Sequence, residues 1–95
     1  MIVSLEDAKT HLRVQHDEED TLIEGLIQQA QTSAEDFCRV SFDGDDVAEP
    51  VRLACLLFVS YHYENRDIPD MTTYKSMRMA FEHLLYPHRD PAQMF

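Results

Sequence analysis

The chain has no tryptophan, two glycines, two cysteines and four prolines in 95 residues. With glycine only at Gly25 and Gly44, no phosphate-cradling loop, dinucleotide fingerprint or nucleophile elbow fits anywhere along it. Cys38 and Cys55 form no CxxC pair and have apolar neighbours (Phe37, Ala54, Leu56), so buried reduced thiols are expected rather than a disulfide framework or a zinc site. The longest apolar runs are a few residues, such as Leu56-Leu57-Phe58-Val59, far short of the roughly 20 that cross a bilayer. No membrane span is expected. The opening Met1-Ile2-Val3-Ser4-Leu5-Glu6-Asp7 meets acids with no basic stretch before them, which predicts synthesis and residence in a cytoplasm rather than secretion.

Positive charge is scarce as well: 8 Lys and Arg stand against 18 Asp and Glu, for a formal net charge of -10. Residues 1–49 hold 13 acids and only Lys9, Arg13 and Arg39 as bases, whereas residues 50–95 hold five of each, so the whole excess lies in the first half. Such a surface repels phosphate. Tight, sequence-independent binding to nucleic acid, which needs clustered Lys and Arg, is disfavoured, although proximity to DNA is not.

What is present is enough apolar sequence to fold. A 44% hydrophobic content suits a globular protein, and the length suits one small domain. The periodicity is helical throughout, predicting an all-α, four-helix bundle-like fold with helices near 5–13, 18–39, 50–64 and 73–86. Ser4 reads as the cap of the first helix, with Leu5, Ala8 and Leu12 on one face and Val3 stapled against Ala8. The acids of His16-Asp17-Glu18-Glu19-Asp20 suit the first turn of the second, whose stripe is Leu22, Ile23, Leu26, Ile27, Ala30, Ala34, Phe37 and Cys38. Gly25 inside it predicts a close approach by another helix. Pro50 opens the third helix, which is apolar almost all round and therefore central, with Leu57 and Phe58 in the core; Asn65 is expected to end it in a left-handed conformation. Thr72 or Thr73 is the expected cap of the fourth, with the stripe Tyr74, Met77, Ala80, Phe81, Leu84 and Leu85, and Pro87 and Pro91 stop it.

Catalytic, cofactor and metal motifs are wanting. Asp17 to Asp20 is the acidic first turn of a helix, and Asp43-Gly44-Asp45-Asp46 lacks the distal Glu of a calcium loop. His11, His16, His62, His83 and His88 show no HExxH or HxxxH spacing. Neither an enzyme nor a cofactor is expected. A helical DNA reader would have to rely on Arg52, Lys75 and Arg78, a thin set for reading base edges. The cluster Tyr61-His62-Tyr63-Glu64-Asn65-Arg66 reads first as core packing and helix capping, and second as an intersubunit contact. The tail 90–95 reads as a frayed end or, through Met94-Phe95, as a docking peptide that orders against a partner.

Several of these segments, taken in order, resemble a known family. Leu5-x-x-x-Lys9-x-x-Leu12-Arg13-Val14, then Asp20-x-Leu22-Ile23 leading into a helix with Glu35, then Pro50-Val51-x-x-Ala54, Tyr63-Glu64-Asn65-Arg66 and Leu84-Leu85-x-Pro87-x-Arg89 are similar to the head-tail connector proteins of long-tailed bacteriophages. His88 departs from the aromatic more usual there. The resemblance implies a virion structural protein of a phage or prophage, made in the host cytoplasm and placed at the capsid vertex, with residues 1–89 as the connector domain and 90–95 as a short tail. It implies a ring homo-oligomer, a dodecamer in the particle, that extends the DNA channel and helps retain packaged DNA. Its partners would be the portal protein and a tail-completion or stopper protein, with packaged DNA passing through the channel without tight or sequence-specific binding. Candidate assembly residues on this reading are Lys9, Arg13, Tyr63, Glu64, Asn65, Arg66 and Arg89, together with Met94 and Phe95. The alternative function is a small helical DNA-binding phage regulator.

Overall fold

The structure, a computed structural model, describes residues 2–42, 47–66, 70–90 and 92. Four helices follow one another, α1 (Leu5–Leu12), α2 (Asp20–Cys38), α3 (Glu49–Glu64) and α4 (Met71–Leu85), with a short 3-10 turn at Tyr86–His88 and no strand among the described residues. The fold is all-α. Asp43 to Asp46, Pro69, Pro91, Met94 and Phe95 lie outside the described residues.

Local chemistry sets the ends of these helices. The Ser4 hydroxyl accepts from the Asp7 amide at 3.0 Å and caps α1 as expected. Both α1 and α2 end on an arginine in the left-handed region, Arg13 at φ 61° and Arg39 at φ 60°, each returning its amide to a carbonyl of the last turn. Glycine usually takes that position. Asn65 does not take the expected left-handed conformation: at φ -120° it ends α3 instead by donating its side-chain amide to the Tyr61 carbonyl at 2.9 Å. The cap of α4 is Asp70, not Thr72 or Thr73. Its carboxylate accepts from the Thr72 amide at 3.1 Å and from the Thr73 hydroxyl at 2.9 Å, so the helix starts two residues earlier than the threonines suggest.

Helix α3 packs against α1, α2 and α4 and is the central element. Val51, Ala54, Cys55, Phe58 and Val59 meet Ile23, Ile27, Ala30 and Ala34 of α2 and Met77, Phe81 and Leu85 of α4 in one core, which Val3 and Ala8 close from the N-terminal side. The Phe58 and Phe81 rings lie 5.6 Å apart. Five apolar positions differ from the sequence reading: Leu56 points inward and Leu57 is only half-buried, while Leu22, Leu53 and Ala80 are exposed. On a helix apolar almost all round, periodicity cannot fix which side faces in. Gly25 is a further correction, because a Cβ there would meet nothing within 4 Å. Among the described residues, no helix approaches it.

Pro87 and Pro91 predict a poorly packed segment after Pro87, but residues 88–90 are held in place. The Arg89 guanidinium lies 5.1 Å from the Phe37 ring centre and 5.7 Å from that of Tyr86, and the Asp90 amide donates to the Cys38 carbonyl at 2.8 Å. These contacts fasten the chain to the C-terminal end of α2.

Candidate assembly site

Three of the motif residues meet around the connection between α1 and α2. Lys9, on α1, reaches Asp17 at 2.7 Å and Asp20 at 2.8 Å, so the connection folds back over its ammonium. This contact holds the Lys9 pKa above its usual value and, through the Lys9 hydrogen bond, the Asp17 carboxyl below its own. Two residues on, Glu19 receives the Tyr63 hydroxyl on one oxygen and the Arg66 guanidinium on the other. The hydrogen bond from Tyr63, followed by that from Arg66, keeps Glu19 ionised to lower pH than usual. The same bond raises the Tyr63 hydroxyl pKa. Arg66 also stacks 4.9 Å from the Tyr63 ring centre, and His16 lies 3.8 Å from Glu19.

The segment 17–20 thus ties α1 on one side to the end of α3 on the other. Glu19 begins α2 without capping it by its side chain, because that carboxylate is committed to α3. Asn65 sits in the same region, holding the α3 terminus. Arg13 and Glu64 are exposed. Arg89 is not part of this group; it stacks on Phe37 near the opposite end of α2. Sequence reasoning treated Asp17, Glu19 and Asp20 as dipole-complementing acids and missed their pairing, since nothing in a local pattern links Glu19 to residues 44 and 47 positions away.

The bases that a DNA-reading helix would need are mostly engaged. Arg52 pairs with Glu49 at 3.4 Å and Asp7 at 3.5 Å, and Arg78 pairs with Glu82 at 3.0 Å while stacking on Phe81. Lys75 is exposed. No helix among the described residues is long and apolar enough to cross a membrane.

The sequence profile of the phage gp6-like head-tail connector protein family matches residues 2–89. The chain belongs to that family. As a head-tail connector it is a structural protein of the phage particle, interacting with other head and tail proteins. The match runs from Ile2 to Arg89 and spans α1 to α4, so the α1–α2 connection and its ties to α3 lie inside the matched residues. No significant match is found among curated proteins or among solved structures.

Proposed function

We propose that this connector is a non-enzymatic adaptor of a tailed phage or prophage, made in the host cytoplasm, that forms a ring between the portal protein and a tail-completion or stopper protein. The ring, a dodecamer in the particle, extends the DNA channel and helps retain the packaged genome. The family match over residues 2–89 carries this reading. The charge supports it: a chain at -10 presents to DNA a surface that repels phosphate, suited to passage rather than adhesion.

Within this reading, Lys9, Tyr63 and Arg66 shape the assembly face from within, and Arg13, Glu64 and Asn65 are its outward members. Arg89 serves a second region at the far end of α2, beside the tail that carries Met94 and Phe95. The test is a phage in which this gene is inactivated: heads that fill with DNA, lose it and carry no tails are expected. Tailed, DNA-filled, infectious particles would overturn the proposal.

A further inference from the structure

We propose that the outer face of α4, which carries Met71, Lys75, Met79 and Tyr86, docks on the outer face of α2 around Gly25 in a second copy of this chain. The proposal rests on the ring reading above and names the contact that joins neighbouring subunits.

Helix α4 turns its stripe of Met77, Phe81 and Leu85 into the core, yet its opposite side is apolar as well. Met79 is 72% exposed, and Met71 and Tyr86, each about two turns away on the same face, are 58% and 54% exposed. Three large apolar groups aligned on the water side of one helix make a stripe, unlike single exposed residues scattered over a surface. The complementary feature is on α2. Gly25 lies on the side of that helix away from Ile23, Ile27, Ala30 and Ala34, where a glycine costs helix stability. A Cβ at Gly25 would meet nothing within 4 Å, so the packing of this chain gives no reason for the missing side chain. Its exposed neighbours Thr21, Gln28, Gln29 and Thr32 are uncharged. A notch of this kind lets a second helix come to the near end of the usual separation of about 8 to 10 Å, and methionine, unbranched and adaptable, fills such a gap.

Charge selects the partner. Helix α2 holds the acids Asp20, Glu24, Glu35 and Asp36 and no basic side chain, whereas α4 holds Lys75, Arg78 and His83 against the single acid Glu82. Two copies of α4, or two of α2, would bring like charges together; α4 on α2 brings opposite ones. Within one chain this complementarity is little used, because α2 and α4 both pack on α3 and touch each other at few places. The two faces also match in length, Thr21 to Asp36 and Met71 to Tyr86 each running about 22 Å at 1.5 Å per residue. A contact between two different faces is head-to-tail, so it repeats from subunit to subunit and closes in a ring.

Disulfide trapping in the full chain tests this. Gly25→Cys and Met79→Cys are made singly and together and oxidised with copper phenanthroline, Cys38 and Cys55 being buried. Mixed at about 1 mM, enough to populate a weak interface, the two single variants should give at least about ten times more 25-to-79 linked dimer than either gives of its own homodimer. The double variant should give a ladder of multimers. Homodimers in equal or greater amount, an internally linked monomer, or no link at all overturns the proposal. Gly25→Gln gives a second reading without cysteine: the circular dichroism of the helices should be kept, while self-association measured by sedimentation equilibrium weakens by at least about tenfold. Unchanged association overturns the docking. Light scattering of the unsubstituted protein separates the contact from the ring: closed multimers without the 25-to-79 link overturn the contact alone, and a linked ladder with no closed size overturns the ring alone. A monomer without links overturns the contact, and the phage with the inactivated gene then decides the ring.

Discussion

The hydroxyl of Tyr63, in the last turn of α3, donates to the carboxylate of Glu19 at the start of α2, 44 positions earlier in the chain. With Arg66 on the other oxygen, this one carboxylate joins the ends of two helices and fixes the connection that Lys9 grips from α1. Removing either donor should move the Glu19 titration. In an NMR titration, the wild-type carboxyl is expected to titrate below its ordinary 4.5. Tyr63→Phe should raise the midpoint the most and Arg66→Ala by less, with the double variant raising it further than either. A midpoint unmoved by Tyr63→Phe would mean that the contact does not persist in solution.

The interior of α3 gives a sharper contrast. Phe58 is buried against Phe81 and His62, whereas Leu57 is only partly covered. Phe58→Ala should cost about 3 to 5 kcal/mol, the range for an aromatic side chain removed from a core. Leu57→Ala should cost well under half as much, since less apolar area leaves water there. Urea denaturation of the two variants measures both. Equal losses would show that the helix is rotated relative to this description.

Much of this architecture is legible in the sequence, because long amphipathic stripes such as Ile23, Ile27, Ala30 and Ala34 tolerate only one periodic reading. Ser4 was legible too, since its hydroxyl acts on an amide three residues away. The illegible features depend on what lies elsewhere in the fold. Leu56 and Leu57 are equivalent on a helix apolar all round until α2 and α4 choose a side. Asp70 and Thr72 both carry capping oxygens, and only the path of the chain into α4 decides between them. Arginines at 13 and 39 carry no local sign of the left-handed region that they occupy. In the candidate site, the motif positions were visible by resemblance, but their partners on Asp17, Glu19 and Asp20 exist only once α1 and α3 are brought to either side of the connection.

Gly25 offers a gain of stability. It lies in the middle of α2 and is exposed, and a Cβ there meets nothing within 4 Å. Gly25→Ala should therefore stabilise the protein by about 0.5 to 1 kcal/mol, by restricting the unfolded chain without a clash in the folded one. Thermal melting followed by circular dichroism reads this directly. A lower midpoint would point to a contact made at this helix face.

The two thiols should be inert in the native protein. Burial pushes the Cys55 pKa up to about 12 and raises that of Cys38, and both side chains are shielded from solvent. Neither should react with Ellman's reagent at pH 8 over minutes, and both should react at once in concentrated urea. Rapid reaction of one thiol without denaturant would reveal local opening between α2 and α3.

Acid should weaken the fold in two separate windows. Burial, with a smaller effect from Arg78, lowers the His62 pKa below its ordinary 6.5, so the folded state prefers the neutral ring. The unfolded chain binds that proton more readily, and stability is therefore full above pH 6.5 and declines as the pH falls from there through the lower folded value. Glu19 and Asp17 act in a later window. Their folded pKa values lie below the ordinary 4.5 and 3.8, held there by Tyr63 and Arg66 in one case and by Lys9 in the other. Their contribution is complete above those ordinary values and disappears as the pH falls through the folded ones. Melting temperatures measured from pH 8 to pH 3 should show two declines. His62→Gln should remove the upper one and leave the lower in place, because it takes away the half-buried base without touching the carboxylates. A profile that is flat between pH 7 and pH 5 in the wild type would show that His62 is protonated without cost, and that the ring is better solvated than its packing between Phe58 and Tyr74 indicates.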